Sequence, residues 1–198
     1  QGIPGIGSWF TTHAHSGGGC TIDLGVHMLD LALWLMGGPR VLSVTASTYA
    51  ALGPQGKGQF PGTRFRAGGD GFDVEDFTLA FLRLETGATL LLEVSWAGYT
   101  GWGDDFFVHL WGKAGGAEMT VHNYAKEDTL RFYTDLQGVR SEVRPQIRGE
   151  SGKSVMSEFV RAIRQGQAVS PTVEDGLRAL RVIEAIYRSA QEGREIRL

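Results

Sequence analysis

Gly17-Gly18-Gly19-Cys20-Thr21-Ile22-Asp23-Leu24-Gly25-Val26-His27-Met28-Leu29-Asp30 joins a glycine triplet to a mostly apolar run that carries two carboxylates and an imidazole. Beyond the glycines, Ile22, Leu24, Met28, Leu31 and Leu35 recur at helical spacing, and Gly37, Gly38 and Pro39 form a strong stop. A helix is therefore predicted over 20–36, and its nearly all-round apolarity predicts burial. On an α-helix residues three and four apart share a face, which brings Asp23, His27 and Asp30 together. A carboxylate beside an imidazole suits a general base, because histidine titrates near neutrality and the carboxylate fixes its tautomer and stabilises the protonated ring. Gly25 leaves room beside the pair for a substrate or another backbone. A first-turn aspartate also serves the helix dipole alone in many helices. A histidine in an apolar helix is commonly a core residue with one hydrogen bond, so spacing by itself leaves both roles open.

Working outward, β-branched and alternating patterns predict strands over 41–50, 76–84, 89–96, 105–111, 117–122, 129–134 and 139–143. The first hairpin turns at Glu85, Thr86 and Gly87, where the glycine supplies positive φ. Amphipathic helices follow over 154–165 and 173–190, the second opening with Glu174 and Asp175 in its first turn, and 195–198 reads as a short edge strand. Residues 1–19 read as an ordered loop, and 53–71 carry the densest loop signals and are expected to move. One early helix, a block of hairpin-linked strands and two late helices predict an α+β fold. The hairpin links make its sheet largely antiparallel. Strand 105–111 is apolar on both faces, Phe106, Val108 and Leu110 against Phe107 and Trp111. That pattern calls for a second layer, expected to be another subunit.

Composition bounds the function. With 198 residues, 42% hydrophobic and 21% charged, the chain is expected to form a single globular domain over 1–198. Cys20 is the sole cysteine, which excludes an internal disulfide and a four-cysteine zinc site and points to a reducing cytoplasm. Nineteen basic against 22 acidic residues argue against a nucleic-acid partner, and no apolar run reaches bilayer length, which argues against a membrane. A first residue of Gln rather than Met is expected of a piece of a longer chain.

The motif G-G-G-x-x-x-D-x-G-x-H-x-x-D, followed by Leu33-Trp34-Leu35-Met36-Gly37, resembles the signature of the C-terminal domain of the glucose-fructose oxidoreductase, inositol dehydrogenase and MocA (Gfo/Idh/MocA) family. The resemblance continues through Asp73-Val74-Glu75-Asp76, Gly87-Ala88, Val94-Ser95-Trp96, Trp111-Gly112-Lys113-Ala114-Gly115-Gly116, Pro171-Thr172-Val173-Glu174-Asp175-Gly176 and Glu192-Gly193-Arg194. It implies a substrate-binding and oligomerisation domain of an NAD(P)-dependent oxidoreductase acting on a sugar, inositol or related polyol. It also implies an open-faced, largely antiparallel sheet with helices packed on one side, and homo-oligomers formed through that open face. By the same resemblance His27 takes the hydroxyl proton during hydride transfer and Asp23 tunes or orients it. Asp30 matches the last carboxylate of the motif, where a helix-anchoring hydrogen bond fits better than catalysis. Trp9, His13 and His15 would border the substrate cleft, with Trp9, His13 and Asp30 as candidate substrate contacts. Specificity would lie near Trp9, in the 53–71 loop and around Trp102 to Asp105. The sequence holds neither a G-x-G-x-x-G strand-turn-helix nor a Glu-Lys-Pro motif. NAD or NADP is thus expected to bind elsewhere in the parent protein and not to this chain alone, which by itself is expected to be inactive.

Three other patterns compete. Gly149-Glu150-Ser151-Gly152-Lys153-Ser154 ends like a phosphate loop, but Ile147 stands where the first glycine belongs and no buried strand precedes it, so a turn into a helix fits better. His13 and His15 with Asp23 or His27 would make a mixed-ligand metal site and a metal-dependent hydrolase, although two loop histidines one residue apart have no fixed geometry. A non-catalytic binding or assembly module is the third class, against which the retained Asp23 and His27 weigh.

Overall fold

The computed structural model describes residues 2–59, 71–101, 103–146 and 155–198. These fall into two compact units, one of residues 1–102 with 178–198 and one of residues 103–177. The phosphate-loop-like segment, most of the 53–71 loop and Trp102 lie outside the described residues.

The first unit opens with a 3-10 turn, Trp9–Thr11, and a four-residue helix α1, His13–Ser16, where the sequence predicted only loop. Neither turn carries an apolar period. Thr11 is fully buried, accepts the Gly7 N–H at 2.9 Å and donates to the Gly71 carbonyl at 2.8 Å, while the Asp73 carboxylate accepts the His13 N–H. The segment is thus shaped by residues sixty positions away.

The predicted helix is present but is not regular. Thr21–Gly25 form a π turn, in which the Val26 N–H donates to the Thr21 carbonyl five residues back, and Val26–Leu35 continue as α-helix α2. Burial is one-sided: Cys20, Thr21, Gly25, Leu29 and Ala32 are buried, while Leu24, Trp34 and Leu35 are exposed, which corrects the expectation of a wholly buried helix.

Strands β1 (Val41–Tyr49), β2 (Phe77–Leu84) and β3 (Thr89–Ser95) lie within a residue or two of their predicted spans and form an antiparallel sheet. Gly87 turns the β2–β3 hairpin at φ +83°, the conformation glycine allows without penalty. Period-two alternation sorts the faces: Val44, Ala46, Thr78, Ala80, Leu82, Leu92 and Val94 are buried, whereas Thr45, Ser47, Tyr49, Phe81 and Leu91 are exposed. Helix α4 is Val173–Glu192, and its residues from 178 onward belong to this unit, where they bury Val182, Ile183, Ile186 and Ser189. Ser189 Oγ accepts the Ala46 N–H at 2.9 Å, tying the helix to β1.

In the second unit, β4 (Phe106–Trp111), β5 (Gly115–Val121), β6 (Leu130–Leu136) and β7 (Val139–Val143) make an antiparallel meander in that order. Helix α3, Val155–Gln165, buries Ala162. At the start of α4, Thr172 and Asp175 cap reciprocally: the Asp175 carboxylate accepts the Thr172 N–H at 2.7 Å, and the Thr172 hydroxyl accepts the Asp175 N–H at 3.2 Å. The last strand, β8 (Ile196–Arg197), pairs with β1 in the first unit. The α+β, antiparallel architecture is therefore present, and among the described residues eight strands are divided between two four-stranded sheets, β3-β2-β1-β8 and β4-β5-β6-β7.

Candidate functional site

Asp23 lies inside the π turn and is half-buried. Its carboxylate Oδ2 accepts the indole Nε1–H of Trp96 at 2.8 Å, and Trp96 is itself 2% exposed. An indole N–H buried in a core usually finds an acceptor, and here the acceptor is the Asp23 carboxylate. His27, in the first turn of α2, is exposed. Because the π turn takes up an extra residue, the four-residue spacing from Asp23 to His27 does not measure one α-helical turn, and the simple row drawn from sequence breaks at Asp23. Among the described residues no hydrogen bond or ion pair joins Asp23 to His27. Asp30 is exposed, and the helix-anchoring hydrogen bond expected of it is not present among the described residues. Gly25 serves packing: a Cβ there would stand 3.3 Å from the Val94 side chain, so of the two uses expected for its space, a substrate or another part of the chain, it is β3 that lies beside it.

The glycine triplet has a specific cause at each position. Gly17 ends α1 at φ +77°. A Cβ on Gly18 would fall 2.0 Å from the Tyr187 hydroxyl, and one on Gly19 would fall 1.9 Å from the Glu75 carbonyl oxygen. Sequence reasoning left out the two residues that crowd them. Glu75 is buried and accepts backbone N–H groups from Gly19 and Thr21, each at 2.9 Å, while the Tyr187 hydroxyl donates to it at 3.0 Å. Burial, followed by the adjacent Glu75 charge, holds Tyr187 far above the usual phenol range. Burial likewise pushes the Cys20 thiol well up, with Glu75 adding to the effect, so Cys20 is an inert core residue.

Asp76, 1% exposed, mirrors its neighbour. Its carboxylate accepts the N–H groups of Ala51, Leu52 and Gly53 at 3.0, 2.7 and 2.8 Å, and its carbonyl accepts the Trp96 N–H at 3.0 Å. The 51–53 turn and the indole that grips Asp23 are thus fixed by one residue. Beside them lies a concavity of about 140 Å³ lined by Leu52, Gly58, Gln59, Ala97, Gly98 and Tyr99. That is below the roughly 300–1,000 Å³ of small-molecule pockets, so it is at most the edge of a larger cleft. The visible signal for Glu75 and Asp76 was two adjacent acids directly before an alternating strand.

Trp9 is 58% exposed and stacks on Phe10 at a centroid distance of 3.9 Å, and His13 and His15 are exposed on α1. Among the described residues no three histidine, cysteine or acidic side chains converge to hold a metal ion, so the mixed-ligand site through His13, His15 and Asp23 is not assembled. No helix among the described residues is long and apolar enough to cross a membrane.

Comparison with known proteins agrees with this geometry. Residues 4–198 match a family described as "Oxidoreductase family, C-terminal alpha/beta domain". The chain is 28% identical over 202 residues to D-glucoside 3-dehydrogenase of Escherichia coli (strain K12), and the match covers 100% of the chain and 53% of that protein. Among solved structures, aldose-aldose oxidoreductase from Caulobacter crescentus complexed with glycerol matches with a TM-score of 0.70 and 25% identity over 98% of this chain and 53% of that one. Levoglucosan dehydrogenase in complex with NADH and levoglucosan shares the fold at a TM-score of 0.75 and 21% identity, over 98% of this chain and 54% of that one. The chain thus spans about half the length of these relatives. A D-x-G-x-H motif that runs from a π turn into α2, an antiparallel α+β frame and a match over residues 4–198 together place the chain in the Gfo/Idh/MocA oxidoreductase family, as its C-terminal alpha/beta domain.

Proposed function

We propose that this chain is the substrate-binding and assembly domain, over 1–198, of an NAD(P)-dependent oxidoreductase acting on a sugar, inositol or related polyol, with His27 as the acid/base. The observation that carries the proposal is the half-buried Asp23, fixed by the Trp96 indole in a π turn, with solvent-facing His27 four residues on, in a chain of this family. The solvent-facing imidazole of His27 accepts the proton of the hydroxyl that becomes a carbonyl and returns it in the reverse direction. Asp23, held by the Trp96 indole, orients the turn that leads into His27. Trp9, His13 and Asp30 are the proposed substrate contacts.

Both sheets are antiparallel, and no strand-turn-helix cradle for a dinucleotide occurs among the described residues. We place NAD or NADP, the hydride acceptor, in another part of the full-length protein, a reading supported by a relative solved with NADH and by the match of this chain to about half of its relatives' length. This chain's residues bind the sugar and move the proton. The lone buried thiol suits a reducing cytoplasm.

The sugar class rests on the relatives, which act on a glucoside or bind levoglucosan. The test is His27→Ala in the full-length protein, assayed for nicotinamide reduction with a panel of glucosides, anhydrosugars and inositols. Loss of an acid/base is expected to lower kcat by about 10²–10⁴-fold. Turnover near that of the unmodified protein would exclude His27 from the chemistry.

Homo-oligomer formation is part of the same proposal. Tyr49, Phe81 and Leu91 lie exposed on one face of the first sheet, and Phe107 and Trp111 on one face of the second. Exposed apolar faces of this kind mark association surfaces.

A further inference from the structure

Three consecutive amides at the start of the candidate helix are taken by a single residue. Gly19 N–H donates to Glu75 Oε2 at 2.9 Å, Cys20 N–H to the Glu75 carbonyl at 3.2 Å and Thr21 N–H to Glu75 Oε1 at 2.9 Å. The Tyr187 hydroxyl, from α4, fixes Oε1 at 3.0 Å. A second tether lies alongside, since the Thr21 and Thr78 hydroxyls meet at 2.8 Å in full burial.

A helix start needs partners for its first N–H groups, and a surface Ser, Thr or Asp normally suffices. Here a carboxylate is taken out of water, which is costly unless it is fully hydrogen-bonded. Two glycines are also required, one making room for its carbonyl and one for the tyrosine that holds it. The residue so gripped, Thr21, opens the π turn that carries Asp23 two positions on. Any displacement of the Thr21 amide is passed along that turn to Asp23 and then to His27.

We propose that Glu75 is a positioning residue for the Asp23 and His27 turn, with Tyr187 holding the Glu75 carboxylate in place. This rests on the acid/base reading of His27 given above.

The test uses the full-length protein. Glu75→Gln replaces one acceptor oxygen with an amide donor that opposes a backbone N–H. Tyr187→Phe keeps the ring and removes only the hydroxyl. Both are measured alone and in the His27→Ala background, with hydrogen exchange of the Gly19 and Thr21 amides. Each single change is expected to lower kcat by roughly 10- to 100-fold with KM little altered, since small misplacements of reacting groups have effects of that size. Exchange at both amides is expected to rise. In the His27→Ala background neither change is expected to cost further turnover, because a positioning residue acts through the group it positions.

Unchanged kcat alongside faster amide exchange would reduce Glu75 to a helix cap and overturn the proposal. So would an undiminished fall in the His27→Ala background. Full turnover of His27→Ala itself would overturn the acid/base reading and the proposal with it, whereas an inactive His27→Ala beside fully active Glu75→Gln and Tyr187→Phe would overturn the proposal alone. Should Glu75→Gln not fold, Tyr187→Phe carries the test.

Discussion

Replacing Trp96 with phenylalanine keeps most of the buried ring and removes the hydrogen bond that the Asp23 carboxylate accepts from it. Leaving a half-buried carboxylate without its donor is expected to cost about 1–2 kcal/mol in urea unfolding, together with a loss of turnover in the full-length protein. A midpoint and rate equal to the unmodified protein would show that the indole contributes packing alone. Gly19→Ala has a sharper expectation. Its Cβ would lie 1.9 Å from a backbone carbonyl that cannot swing aside, so destabilisation of at least ~1–3 kcal/mol is expected. Gly17→Ala meets no atom within 4 Å and is strained only by its positive φ, so it should cost less. At high pH, Cys20 and Tyr187 act in the same direction. Both are held protonated by burial, with the Glu75 charge second. Stability is then complete below the unfolded thiol value near ~8.5 and falls as pH rises, first as the unfolded thiol ionises and again from about 10 as the unfolded phenol does. Thermal melts from pH 7 to 11 should show this decline, and Cys20→Ala should flatten its first part.

At the scale of elements, the capping box before α4 offers a clean measurement, because Thr172→Ala removes the hydroxyl that Asp175 N–H uses. The expected loss is about 1 kcal/mol by denaturant titration, and no loss would mean that water replaces the cap. The strands were legible because alternation is a local property: Val44, Ala46, Ala80, Leu82, Leu92 and Val94 announce their face by period alone. The Gly87 turn was legible for the same reason, since its need for positive φ is written in one residue. Helix α1 and the π turn were not. The 9–16 segment is shaped by Gly71 and Asp73, and the π turn by Glu75 and Trp96, more than fifty positions away. Asp23 and His27 could be picked out as chemically odd in an apolar helix, but periodicity had no means of showing that one would face an indole and the other water. Glu75 and Asp76 stayed hidden because acids are ordinarily read as exposed, and only the amides that converge on them explain their burial.

For the whole molecule, the exposed face of the first sheet is the most direct handle on assembly. Leu91 stands opposite Phe81, which stands opposite Thr45, in one register row. Leu91→Glu places a charge at the β3 end of that row without touching the buried face. If the face joins copies of the chain, light scattering should show a smaller particle with an unchanged circular dichroism spectrum, and an unchanged particle mass would assign assembly to another surface. The Glu75-Asp76 dipeptide has a consequence for engineering. One acid anchors the backbone at 19–21 and the next anchors it at 51–53, so the loop beyond Gly53 begins from a fixed post. Loops of foreign sequence and length spliced between Gln59 and Gly71, which leave Gly58, Gly71 and the buried Phe72 in place, should therefore be accepted without shifting Asp23, whereas a splice junction placed between Ala51 and Gly53 should misalign it.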